Sequence, residues 1–198
     1  MHERKTTRLC RALTAVAVAA AVTAPAGATT LIRQSLDELV ANNSTIVVGE
    51  VVAVRSYWNQ EGTFILSDVT VGVSDTLKGQ GPRPEITITL MGGTVGDLTT
   101  LIVGGPELVE GRSYVLFLNR EDLPGAKAAL TVRDLSQGTF DLRLDDRAEL
   151  RAVSQARNHP LLPDQEGLSE APGGALGLSF DAMTRAIREI ASRPEEAY

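Results

Sequence analysis

Between about residues 44 and 144 the apolar side chains recur at every second position, and no segment in that span has the length and period of a helix. In "ILSDVTVGVSDTL", Ile65, Val69, Val71, Val73 and Leu77 share one parity, while Asp68, Thr70, Ser74 and Thr76 take the other. "EITITLM" repeats the pattern, with Ile86, Ile88 and Leu90 set against Thr87 and Thr89. A period of two places one apolar face on a core and leaves the other wet, as in antiparallel strands. Parallel neighbours need crossover helices, and none interrupts this stretch. A mainly β, antiparallel chain follows, either a small barrel or a sandwich.

The remaining strands are read the same way. "TIVVGEVVAVRSYW", Thr45 to Trp58, is apolar on both faces at its start and is expected to be covered on both sides there. "TLIVGG" reads as a short strand. "EGRSYVLFLN" reads as a clear one, entered by a tight turn at Glu110-Gly111. "ALTVRDL" and "GTFDLRL" follow, the latter with Phe140, Leu142 and Leu144 on one face. The count is five to seven barrel strands. Ahead of them Ser35 and Glu38 form an S-x-x-E capping box before Leu36, Leu39 and Val40, so a short helix is expected. After them, 145–178 reads as a Pro/Gly-rich extension whose "DDRAELRAVSQARN" has room for a short helix. In 179–193, Phe180, Met183, Ile187 and Ile190 recur at helical spacing behind a Ser179 cap, giving an amphipathic helix that docks on the barrel.

Residues 1–28 are expected to be a signal peptide. Arg4, Lys5, Arg8 and Arg11 precede a short apolar run, then Pro25, then Ala26-Gly27-Ala28 in the A-x-A cleavage pattern. That places the barrel domain at 29–144 and the protein outside the cell or in the periplasm, with no integral membrane association after cleavage. Loss of those residues removes four bases and one acid, leaving 15 bases against 24 acids and a net charge of −9. Such a balance argues against a nucleic-acid partner. Cys10, the single cysteine, lies in the removed part, which excludes disulfides, thiolate zinc and a cysteine nucleophile from the mature chain.

"LMGGTVGDL", residues 90–98, raises the question of a phosphate loop. Phosphate loops deliver glycines to a helix N-terminus, and here no helical pattern follows Gly92, Gly93 and Gly96. A sharp loop between strands is the expected use of those glycines. No calcium-loop or nucleophile-elbow motif is present, and no cofactor or metal is expected. His159 precedes Pro160 in a loop and reads as a surface histidine. Asn42-Asn43-Ser44 and Asn43-Ser44-Thr45 match glycosylation sequons. Tyr57 and Trp58 close the first strand in a chain with eight aromatics, and neighbouring rings at a strand–loop edge suit a stacking face for a sugar or peptide. Tyr57, Trp58, Gly92, Gly93, Thr94 and Asp97 are therefore the candidate binding residues, and no catalytic residue is assigned.

The order of these segments resembles a family of secreted bacterial proteins with an OB-fold, similar to the netrin-type domain of tissue inhibitors of metalloproteinases. The resemblance spans about residues 35 to 143. It rests on Gly49-Glu50-Val51-Val52, on Leu77-Lys78-Gly79 and on Glu110 through Leu118. It implies a five-stranded barrel core and a non-enzymatic exported module. In the animal inhibitors an N-terminal cysteine chelates the protease zinc. The expected mature terminus here, Thr29-Thr30, has no cysteine, so no inhibitory residue is carried over. The functional expectation is a binding module for a protein or glycan, with a secreted protease as one partner class. A secreted hydrolase and a structural envelope component are the alternatives.

Overall fold

The computed structural model describes residues 33–81, 83–133, 135–158 and 177–193. The expected signal peptide with Ala26 and Ala28, His159 and most of the Pro/Gly-rich stretch fall outside the described residues. Helix α1 (Leu36–Asn42) begins at Ser35, whose side chain accepts from the Glu38 N–H while Glu38 reaches back to the Ser35 N–H, so the capping box is complete. Lys78 and Asn119 donate to the carbonyls of Val40 and Asn42, supplying partners that a short helix lacks at its C-terminal end. Asn43 turns its amide onto Leu39 O and is buried, so only the Asn42 sequon presents an exposed amide.

Strands β1 (Thr45–Trp58) and β2 (Ile65–Lys78), 14 residues each, form a long hairpin. β3 (Glu85–Met91) pairs with the Leu66–Gly72 half of β2. β4 (Gly93–Val95) and β5 (Leu98–Thr100) form a separate small hairpin. β6 (Ser113–Leu123) pairs with β1 along Ser113–Leu118. Its other edge is shared by β7 (Ala126–Val132), opposite Leu118–Leu123, and β8 (Thr139–Leu144), opposite Tyr114–Leu116. β7 and β8 thus act as one strand interrupted by a 3-10 turn at Leu135–Gly138. β9 (Leu150–Ser154) and the two-residue β10 (Leu178–Ser179) complete an eight-stranded sheet in the order β10-β9-β8-β6-β1-β2-β3, with β7 on β6. Helix α2 (Phe180–Ala191) follows, with Met183, Thr184 and Ile187 buried.

The mainly β antiparallel reading and both helices agree with the sequence. The sheet curls without closing: β3 and β7 meet through side chains but share no ladder. Three local expectations are corrected. The segment 145–158, read as room for a helix, is a turn, β9 and a 3-10 turn at Gln155–Asn158, so the sheet continues past residue 144. "TLIVGG" is loop from Leu101 onward. Leu77 does not share a face with Val73. The register skips Ser74 where Val48 pairs with Asp75 and Gly49 with Val73, and such a bulge flips the side-chain parity beyond it.

Two cores result. The inner one, within the curl, holds Val47, Val51, Val69, Val71, Ile88, Leu90, Tyr114, Leu116, Leu118 and Val132. The outer one lies under the helices and includes Ile46, Val48, Leu77, Val115, Phe117, Phe140, Met183 and Ile187. β6 feeds both, alternating Tyr114, Leu116 and Leu118 inward with Val115 and Phe117 outward. That alternation explains its unbroken apolar run. The helices cover only the Ile46–Val48 and Leu77 end of the long hairpin. On the outer face of its far half Leu66 is buried, Tyr57, Asp68 and Thr89 are half-buried, and Arg55 and Met91 are exposed.

Candidate functional site

The far half of that outer face holds the first candidate site. Tyr57, Leu66 and Met91 align across β1, β2 and β3, and Arg55, Asp68 and Thr89 form the next row. Tyr57 donates its hydroxyl to Asp68 Oδ1 at 3.0 Å, and Thr89 donates to the same oxygen at 2.8 Å. The Tyr57 ring is thereby fixed across the rows instead of rotating freely at the strand end. Partial burial, reinforced by the Asp68 carboxylate, raises the Tyr57 hydroxyl above the ordinary phenol pKa. Asp68 Oδ2 has no hydrogen-bond partner among the described residues.

The glycine loop lies on the other side of the sheet. Ser56 and Ser67 pair across β1 and β2 with their oxygens 2.8 Å apart. Ser67 donates to Gly92 O at 2.7 Å, and Ser56 accepts the Thr94 N–H at 3.3 Å. Because the Ser67 proton is committed to Gly92, the relay has one direction: Thr94 N–H to Ser56, Ser56 to Ser67, Ser67 to Gly92 O. Gly93 crosses directly above both serines at φ +127°, and a Cβ there would fall inside the van der Waals radii of both hydroxyl oxygens. Gly92, at φ +92°, would place a Cβ 2.7 Å from Thr100 O. Gly96 is the first residue of the two-residue turn joining Val95 to Leu98, with φ +60° and open space around it, while Asp97 keeps a negative φ. That combination suits a type II′ hairpin. The glycines therefore cap the end of the inner core, as a loop rather than a phosphate cradle.

Successive residues of a strand face opposite ways, so Tyr57 and Trp58 do not make one stacking face. Trp58, opposite Ile65 and 39% exposed, shares its side of the sheet with Ser56 and hence with Gly92, Gly93 and Thr94. Thr94 exchanges a hydroxyl contact with Thr99 at 2.8 Å, and Asp97 sits exposed at the hairpin tip. The six sequence candidates thus fall into two groups on opposite faces, with Tyr57 alone on the outer one. Sequence reading missed Asp68 and Thr89 as Tyr57's partners. Their outward parity was visible, but the register that brings them beside Tyr57 was not.

A second polar cluster surrounds Asp141, which is 8% exposed and accepts from Arg143 and from Gln155. Gln155 also accepts the Glu107 N–H at 2.9 Å and donates to Glu107 O at 2.8 Å, latching the 101–112 loop to the sheet. Among the described residues no group of three or more His, Cys, Asp or Glu side chains is placed to hold a metal ion. None of the described helices is long and apolar enough to cross a membrane.

Fold and site together define an open, curled antiparallel β sheet with a helical layer over half its outer face and a fixed aromatic–carboxylate pair on the other half. The chain matches no model of a known protein family, and no curated protein matches it.

Proposed function

We propose that the protein is an exported, non-catalytic binding module that engages a protein or glycan partner through the far half of its outer face. The observation that carries this reading is the Tyr57–Asp68–Thr89 tie. It holds a half-buried aromatic ring still at the surface and leaves one carboxylate oxygen, Asp68 Oδ2, free to accept. An amphipathic ring beside an acceptor serves the apolar face and the donors of a sugar or peptide alike. A ring already ordered in the free protein loses little entropy on binding. Arg55 and Met91 widen the surface on either side. The likeness to the netrin-type domain adds a secreted protease as one partner class.

The two faces separate the test. Immobilised protein is used to capture partners from culture supernatant and to probe a glycan array, with Tyr57→Ala, Asp68→Asn and Trp58→Ala alongside. Tyr57→Ala and Asp68→Asn are expected to weaken capture by about tenfold or more, as loss of a central anchor does, and Trp58→Ala to leave it unchanged. Full retention by Tyr57→Ala ends the assignment of this face.

A further inference from the structure

At the end of the curl opposite the glycine loop, a cavity of about 370 Å³ opens where β3 and β7 fail to pair. Its floor is apolar: Val47, Val73, Ile86 and Leu130, all belonging to the inner core or packed on it. Val73, Ile86 and Leu130 are only partly buried, so this floor is reached from solvent through the mouth. The rim carries two guanidinium groups, Arg83 and Arg120, both on exposed residues. Arg120 is steadied by donating to Ala128 O at 2.9 Å. No acidic residue lines the cavity, and among the described residues no carboxylate pairs with either arginine, although the whole chain is acidic at a net −6. Two arginines are thus gathered without a carboxylate beside an accessible apolar floor.

We infer that this mouth binds a small amphiphile with a single anionic head, a carboxylate bearing a short aliphatic chain. The tail lies on Ile86 and Leu130 and the head meets Arg83 and Arg120. The volume falls in the lower part of the range for small-molecule sites. Guanidinium groups match a carboxylate through paired N–H donors. The open seam is what gives the tail its entry, because a hydrogen-bonded β3–β7 ladder would seal the inner core. The site is separate from the outer face around Tyr57 and stands whether or not that face binds a partner.

The probes are octanoate, octanol and acetate, titrated into the purified protein by calorimetry and by amide NMR. Octanoate is expected to bind saturably and to shift the resonances of residues 44–47, 79–86 and 120–130. Octanol lacks the charge and acetate the tail, and each is expected to bind about tenfold more weakly, the factor that a lost charged hydrogen bond or a few buried methylenes supplies. Arg83→Gln and Arg120→Gln are exposed changes whose folding is checked by thermal melts. Each should weaken octanoate about fivefold or more and leave octanol unaffected. Octanoate that fails to saturate at millimolar concentration, octanol that binds equally well, or shifts centred elsewhere would each overturn the inference.

Discussion

Replacing Gly93 by alanine tests the account of the glycine loop most directly. The residue sits at φ +127°, a region held almost entirely by glycine, and forcing alanine there costs about 1–3 kcal/mol. The new methyl also displaces Ser56 Oγ and Ser67 Oγ, and Ser56 Cβ itself lies 3.0 Å away, so turning the hydroxyls aside does not clear the space. Moving them breaks a relay of three hydrogen bonds, each worth about 1 kcal/mol net. Backbone strain and lost bonds together give about 3 kcal/mol or more, a large share of the 5–15 kcal/mol typical of a folded domain. Gly96→Ala is the control: φ is +60° and nothing lies within 4 Å, so only the backbone term of about 1–2 kcal/mol remains. Urea unfolding followed by circular dichroism measures both. Equal losses for the two variants, or a loss at Gly93 below about 1 kcal/mol, would show that the serine relay does not hold the loop down.

Further outcomes are expected for stability and for tyrosine ionisation. Ile187 is fully buried between α2 and the sheet, so Ile187→Ala should lower the unfolding free energy by about 2–5 kcal/mol. The neighbouring Arg188→Ala, which removes an exposed pair with Asp75, should cost no more than about 1 kcal/mol in the same urea titration. Ultraviolet titration should show two tyrosines ionising above the usual range, Tyr57 and the buried Tyr114, and Asp68→Asn should bring down the Tyr57 transition alone. The folded-state pKa is raised, so the neutral phenol's contribution to stability is complete below the unfolded value near 10 and is lost as pH rises through the folded value. Stability that climbs above pH 10 would contradict the tie to Asp68.

Much of the fold was legible because it depends on local pattern. Strand β1 begins where its β-branched run does and ends at the Tyr57-Trp58 pair, and the Ser35–Glu38 box sets the start of α1. The misses trace to long-range pairing. Nothing local in "ELRAVS" outweighs its charge, and it becomes a strand because β8 offers it an edge. Leu77 changes face through a bulge that only the partner strand reveals. At the site, Tyr57 and Trp58 were visible as aromatics. Their separation follows from alternation within a strand, whereas Asp68 and Thr89 needed the β1–β2–β3 register. The mouth between Arg83 and Arg120 had no sequence signature, since its residues come from five separate segments.

The outer core joins Leu39 and Val40 of the first helix to Met183 and Ile187 of the last, and Arg193 reaches Asp37 across 156 positions of chain. Strands made early therefore have half of one face uncovered until the last helix has emerged from the ribosome. Their hairpins form early from neighbouring residues, but the sheet waits for a distant lid. A nascent chain halted before residue 180 would keep Ile46, Val48 and Phe117 wet. Such a chain stays open to chaperones for as long as synthesis continues.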